Sequence, residues 1–338
     1  ILYKANGDPC QIAVNATALL APMAGIGQYV RSLLMGLDEF DDLEVSKFYA
    51  GYWSKELRQS GISQTAQTGK LFIRKHLPYF AQIYRWFQQQ RFDAGIRSAK
   101  VDLYHEPNFL AYDFDGPTVI TVHDLSWIRY PHMHPAERVS SMERYFEPSV
   151  KSATRIITDS EFVKRELVDA FGVRPEVIHP VLLGVSEDFH PHTGLETADV
   201  LRANALEHGR YILALGTMEP RKNLQLAIEA FERLPKSTQE QYPLVLVGMR
   251  GWNNDALEQR LSPLLRTGRV RQLGYLSREN LVKVVAGARC MVYPSVYEGF
   301  GLPPLESMAC GVPVIASNVT SLPEVVGEAG LQLAPDDI

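Results

Sequence analysis

The chain lacks most of the features that assign a protein quickly. Its 338 residues hold no run approaching the 18 or so uncharged apolar residues of a membrane-spanning helix, and no basic-then-apolar leader pattern is present, so a soluble or peripheral protein is expected. Cysteine is scarce. Cys10, Cys290 and Cys310 are odd in number, widely spaced and outside any C-x-x-C pattern, which indicates neither a disulfide framework nor a zinc site and fits a reducing compartment, the cytoplasm. Positive charge is not in excess: 34 Lys and Arg stand against 39 Asp and Glu, for a net charge of −5, so no global field would collect nucleic-acid phosphates. No G-x-G-x-x-G follows a strand pattern with an acid about 20 residues on, which argues against a nicotinamide dehydrogenase. Metal-ligand spacing is missing too. His132 and His134 flank a methionine, and Asp113 and Asp115 precede Gly116-Pro117, where Asp reads as a turn residue, so no metal site is expected.

What is present is apolar content, at 46%, and length enough for two domains. The stretch that organises them runs from Ser295 to Glu306. A β-type run, Cys290 to Tyr293, enters a glycine-broken loop, and a helix pattern starts at Pro303 and Pro304, where a missing N–H does no harm. A helix N-terminus presents unpaired N–H groups and a partial positive charge, which suit an anionic or hydroxyl-rich ligand. Glu298 lies in the loop and Glu306 about one turn into the helix, placed to grip hydroxyls, while Gly299 and Gly301 let backbone amides come close. For such a pair taken alone, a buried strand–loop–helix unit with two solvated glutamates is the plainer reading.

The rest of the chain alternates strand and helix patterns, the rhythm of parallel sheets. Gln11–Asn15 is a short strand, followed by a glycine turn at Ala24 and Gly25 that opens an amphipathic helix with Tyr29, Val30, Leu33, Leu34 and Leu37 inward. Strand patterns ending near His105-Glu106 and His123-Asp124 place those residues where a doubly wound sheet binds its ligands. Ser160 reads as the N-cap of a helix from Glu161. Residues 185–210 read as a connection. Beyond it, Tyr211–Leu215 leads through a loop to a helix from about Asn223, and the adjacent Arg221 and Lys222 at that junction suit a diphosphate. Residues 70–100 carry seven basic side chains against one acid, Asp93, interleaved with aromatics. Two readings stand: a surface laid on an anionic membrane, or a helix whose Tyr79, Ile83 and Phe87 stripe faces the core.

Glu-Gly-Phe-Gly-Leu-Pro-x-Leu-Glu followed by Ala-Cys-Gly-x-Pro-Val-Ile-Ala resembles the donor-site signature of retaining GT-B glycosyltransferases, in particular glycosyltransferase family 4. The resemblance covers nearly the whole chain from Gln11. It implies two Rossmann-like α/β domains facing a cleft: an acceptor-side domain over 1–184, a linker over 185–210 and a nucleotide-sugar domain over 211–338. Relatives continue with further helices, so a truncated or short variant is expected.

Carried over residue by residue, the resemblance implies that His123 touches the transferred sugar and that Arg221 and Lys222 hold the diphosphate. Glu298 and the amides of Gly299, Phe300, Gly301 and Leu302 would orient the sugar, Glu306 would take the ribose hydroxyls, and the backbone at Tyr275 and Leu276 would hold the base. Gly25 matches the second glycine of the family's phosphate loop, whereas Ala24 replaces the first. His105, Glu106 and Asp124 would lie toward the acceptor. The implied reaction is metal-independent, uses no cofactor beyond the nucleotide sugar, and moves a hexose to a glycan or lipid-linked acceptor. His-Asp-Leu-Ser, Glu-Pro-Arg-Lys-Asn and Tyr-Glu-Gly-Phe-Gly-Leu-Pro together resemble bacterial polysaccharide mannosyltransferases, which favours GDP-mannose. A UDP-sugar donor and a non-catalytic glycan-binding relative are the alternatives.

Overall fold

The computed structural model describes residues 8–21, 25–58, 80–251 and 255–338. Ala24 and the 70–79 part of the basic segment, with Tyr79, lie outside them. The chain divides into two units. The first comprises residues up to His123, Ser141–Thr158 and Leu167–Pro180, and the second Asp124–Ser140, Asp159–Glu166 and Val181–Ile338.

The first unit holds a seven-stranded sheet: β1 (Cys10–Asn15), β2 (Leu43–Tyr49), β3 (Tyr52–Ser54), β4 (Leu103–Glu106), β5 (Thr118–Val122), β6 (Arg155–Thr158) and β7 (Ile178–Pro180), in the order β3-β2-β1-β4-β5-β6-β7. Neighbours are parallel except the β2–β3 pair. Strands covered on both faces need apolar residues in near-continuous runs, and Thr-Val-Ile-Thr-Val of β5 is of that kind. The helix Gly25–Leu37 lays Val30 and Leu34 against Ile12, Val14 and Tyr49, as its periodicity requires.

In the second unit β8 (Ile212–Leu215), β9 (Leu244–Val247), β10 (Val270–Gly274), β11 (Cys290–Tyr293), β12 (Val314–Ser317) and β13 (Leu331–Leu333) form an all-parallel sheet ordered β10-β9-β8-β11-β12-β13. Alternation along β9 shows how both faces are covered. Leu244 and Leu246 join a cluster with Ile228 and Phe231, while Val245 and Val247 join one with Met291, Val314 and Leu322. The ends of β8 and β9 come so close that a Cβ on Gly248 (φ +146°) would lie 1.9 Å from the Gly216 carbonyl oxygen. Each sheet reverses its strand order once, between β1 and β4 and between β8 and β11, and such a reversal opens a crevice at the strands' carboxyl ends.

Residues 185–210, read from sequence as a connection, carry the helix Gly194–Ala203, started by a Thr193–Glu196 capping box. Phe189, Leu201 and Leu206 are part of the second unit's core.

The helix Phe80–Ala99 overturns one reading of the basic segment. Ile83 is 63% and Phe87 46% exposed, as is Trp86 at 63%, so Ile83 and Phe87 do not face a core; the helix buries Phe92 and Gln88 instead. Arg85 turns inward to the carbonyls of Ala111 (2.5 Å) and Leu110 (3.4 Å), over the rings of Tyr112 and Tyr145. Among the described residues no helix is long and apolar enough to cross a membrane.

Candidate functional site

The loops after β8 and β11 meet at the second sheet's reversal. After β8 the chain makes a 3-10 turn at Pro220–Lys222. Asn223 then takes a left-handed conformation (φ 51°), which asparagine tolerates, before the helix Leu224–Arg233. Asn223 donates to the carbonyls of Pro294 (3.1 Å) and Pro335 (2.8 Å), and the Val296 N–H donates to the Arg221 carbonyl (2.9 Å). The two loops are thereby fastened along their backbones.

This junction brings Arg221, Lys222 and Glu298 together. Lys222 Nζ donates to Glu298 Oε1 at 2.6 Å and to the Tyr293 hydroxyl at 2.7 Å, and that hydroxyl donates to Glu298 at 2.9 Å. Arg221 Nη1 reaches the other oxygen of Glu298 at 2.9 Å, and its Nε pairs with Glu219 at 2.6 Å. Glu298 is 6% and Lys222 8% exposed. Burial alone would raise the Glu298 carboxyl, but Lys222 and Arg221 outweigh it and hold it at about 2. Burial prevails at Glu219 and raises its carboxyl.

Beyond Glu298 the loop runs through Gly299 and buried Phe300 to Gly301, where φ is 118° and a Cβ would meet Leu322 at 2.7 Å. The helix Leu302–Ala309 starts there. Ser321 Oγ lies 2.9 and 2.7 Å from the Glu298 and Phe300 carbonyls. Ser160 caps its helix as expected, accepting from the Val163 N–H, and also donates to the Gly299 carbonyl at 2.7 Å. Tyr297 is buried between Tyr130 and Phe162; its hydroxyl donates to Glu166, which also holds Arg129 Nε at 2.7 Å, and accepts from the Leu125 N–H at 2.9 Å. Glu324 caps the same helix as Ser160, accepting from the N–H groups of Glu161 (2.8 Å) and Phe162 (2.7 Å).

Glu306 is half-buried on the helix Leu302–Ala309, where burial, opposed by Arg278, pushes its carboxyl up to about 7. The two glutamates thus lie in different electrostatic surroundings. Tyr275 is 54% exposed after β10, and Leu276 packs against the core. Asp124, expected on the acceptor side, lies in the second unit, where Ser126 donates to it from N–H (2.9 Å) and hydroxyl (2.6 Å). Burial raises its carboxyl, but Arg221 and Ser126 outweigh this and the net shift is downward.

The first unit's reversal gathers Asn15 and Glu106. The buried Glu106 carboxylate accepts from Asn15 Nδ2 (2.7 Å), the Tyr104 hydroxyl (2.7 Å) and the Asn108 N–H (3.0 Å), yet burial still pushes it up to about 7. His105 Nε2 lies 2.9 Å from Thr121 Oγ1, with the Tyr29 hydroxyl 3.0 Å from the same oxygen, and burial, then His123, pulls His105 down to about 4. His123 Nε2 is 2.9 Å from the Pro107 carbonyl; a carbonyl only accepts, so that nitrogen carries the proton. Tyr29 and Phe109 meet its ring edge-on. Gly25 is the first residue of its helix. Among the described residues no three His, Cys, Asp or Glu side chains group to hold a metal ion.

Sequence reasoning missed Glu219, Tyr293, Glu166 and Glu324. Glu219 opens the Glu-Pro-Arg-Lys-Asn stretch, where only Arg221 and Lys222 were given roles, and Tyr293 sits beside a recognised motif, whereas Glu166 and Glu324 are ordinary surface-type positions in sequence.

Residues 23–189 match the family model described as Glycosyltransferase Family 4, and residues 200–336 that described as Glycosyl transferases group 1. The chain is 39% identical over 323 residues to the O-antigen chain mannosyltransferase B of Escherichia coli, covering 94% of this chain and 84% of that protein. It is 27% identical over 334 residues to the O-antigen chain mannosyltransferase RfbU of Salmonella typhimurium, covering 96% and 87%. The crystal structure of WaaG, a glycosyltransferase involved in lipopolysaccharide biosynthesis, superposes with a TM-score of 0.72 at 16% identity over 97% of this chain and 87% of that one, which speaks for the fold. A near full-length relative at 39% identity and a shared architecture of two parallel sheets agree, and this chain belongs to the family 4 glycosyltransferases of the GT-B fold.

Proposed function

We propose that the chain transfers a mannosyl group from GDP-mannose to a hydroxyl of a glycan or lipid-linked saccharide, with retention of configuration and without a metal, in cell-surface polysaccharide or lipopolysaccharide synthesis. The observation that carries this is the Arg221–Lys222–Glu298 cluster at the β8/β11 reversal. Cleaving a sugar–phosphate bond leaves negative charge on a diphosphate and positive charge on the sugar, and two cations with a carboxylate beside them match that separation. The names of the O-antigen relatives favour mannose.

In this reading Arg221, Lys222 and the Gly25 amide receive the diphosphate, Glu298 and the amides of Gly299 to Leu302 orient the sugar, and Glu306 takes the ribose hydroxyls. The backbone at Tyr275 and Leu276 holds the base. His123 offers a hydrogen bond to the sugar, and the leaving phosphate takes the acceptor's proton. His105 and Glu106, bonded within their own unit, hold the acceptor-side loops in shape. The exposed face of the helix Phe80–Ala99 makes a peripheral contact with an anionic membrane at its cytoplasmic side.

A panel of nucleotide sugars tests this. GDP-mannose should raise the melting temperature and support transfer, and Lys222→Ala or Glu298→Ala should lower turnover by roughly 10²-fold or more with the fold retained. Stabilisation and transfer with UDP-sugars alone, or near-normal turnover in either variant, would overturn it.

A further inference from the structure

Glu219, the first residue of the Glu-Pro-Arg-Lys-Asn stretch, organises the cationic pair. Arg221 is clamped between two carboxylates, Glu219 on Nε at 2.6 Å and Glu298 on Nη1 at 2.9 Å, and Lys222 shares the second at 2.6 Å. The two counter-ions are attached differently. Glu219 belongs to the same short turn as Arg221, closed by the Lys222 N–H on the Glu219 carbonyl at 3.0 Å. Glu298 reaches in from the loop after β11, at the edge of a glycine-containing stretch.

These two cations and two carboxylates cancel. A diphosphate brings several further negative charges, and a buried site already neutral cannot take them without strong repulsion unless a carboxylate withdraws. We propose that Glu298 is a place-holder: its two oxygens occupy the positions on Arg221 and Lys222 that diphosphate oxygens take, and it gives them up as the donor binds, while Glu219 remains as the positioning residue of Arg221. The released carboxylate then finds its partners in the sugar hydroxyls. Diphosphate capture and sugar orientation become one event, and a nucleotide without a sugar leaves Glu298 with no replacement partner. This rests on reading Arg221 and Lys222 as the diphosphate site.

Titration calorimetry of the full chain with GDP, UDP and inorganic pyrophosphate tests it, with near-ultraviolet spectra confirming that each variant is folded. Glu298→Gln and Glu298→Ala should bind all three about tenfold more tightly than the unsubstituted chain, because the competing charge is gone, although transfer is lost. Equal or weaker binding in both overturns the exchange. Glu219→Ala should bind pyrophosphate more weakly and lower kcat, whereas Glu219→Gln, which keeps an acceptor for Nε, should restore binding. If Ala and Gln behave alike, Glu219 does not position Arg221. If GDP, UDP and pyrophosphate all fail to bind the Glu298 variants and the unsubstituted chain alike, or bind Lys222→Ala as well as the unsubstituted chain, the diphosphate site is misassigned and the exchange falls with it.

Discussion

Glu298 and Glu306, separated by seven residues, sit in opposite electrostatic states. Two cations hold the first at about 2, while burial lifts the second to about 7. Glu306 is therefore protonated below neutrality, when it is a poor acceptor for two hydroxyls. The KM for the donor should fall as pH rises through about 7, and Glu306→Gln should remove that limb of the profile; an unchanged limb would exclude Glu306 from donor binding. Stability runs the other way. Glu306 and Glu106 both have raised folded-state values, so their contribution is complete below the ordinary carboxyl range and is lost as pH rises through about 7.

The helix Phe80–Ala99 shows what periodicity alone leaves open. Its exposed positions, Ile83, Trp86, Phe87, Arg91 and Arg97, follow helical spacing along one face, while Asp93 accepts a hydrogen bond from Gln89 at 2.7 Å. Apolar residues lead and cations follow, a suitable order for an anionic bilayer. Sedimentation with phosphatidylglycerol vesicles should fall in a Trp86→Ser, Phe87→Ser variant. It should fall roughly tenfold or more for Arg91→Glu with Arg97→Glu at low salt, from about 1 kcal/mol per charge near the surface. Binding unchanged in both variants would remove the membrane contact. Arg85 is unsuitable for this test, because its guanidinium holds the Leu110 and Ala111 carbonyls.

At the scale of the molecule, the second unit is not one continuous piece of chain. It draws in Asp124–Ser140 and Asp159–Glu166, which supply Leu125, Tyr130, Phe162 and Glu166 around Tyr297. A fragment of residues 185–338 should therefore melt well below the corresponding transition of the full chain, since burial of Tyr297 alone contributes about 1.5–3 kcal/mol. Calorimetry of the two would show it, and equal midpoints would mean those segments contribute nothing to the unit.

The alternation of short apolar runs with amphipathic stretches determined, from sequence, that two parallel sheets form, because strands covered on both faces admit few polar residues. The Glu-Gly-Phe-Gly-Leu-Pro stretch and the Arg221-Lys222 pair were legible too, since a strand end opening onto a helix demands glycine, proline and polar residues in set places. Sequence spacing could not show that β8 and β11 are neighbours, with 74 positions between Leu215 and Cys290, because strand order is decided by crossover packing. That adjacency alone turns two separate motifs into one cluster in which Glu298 pairs with both Lys222 and Arg221. Likewise only the packed structure decided that burial lifts the Glu306 carboxyl, and that Arg85 faces inward while Trp86 faces out. Burial and long-range contact set those outcomes, and neither is a property of local sequence.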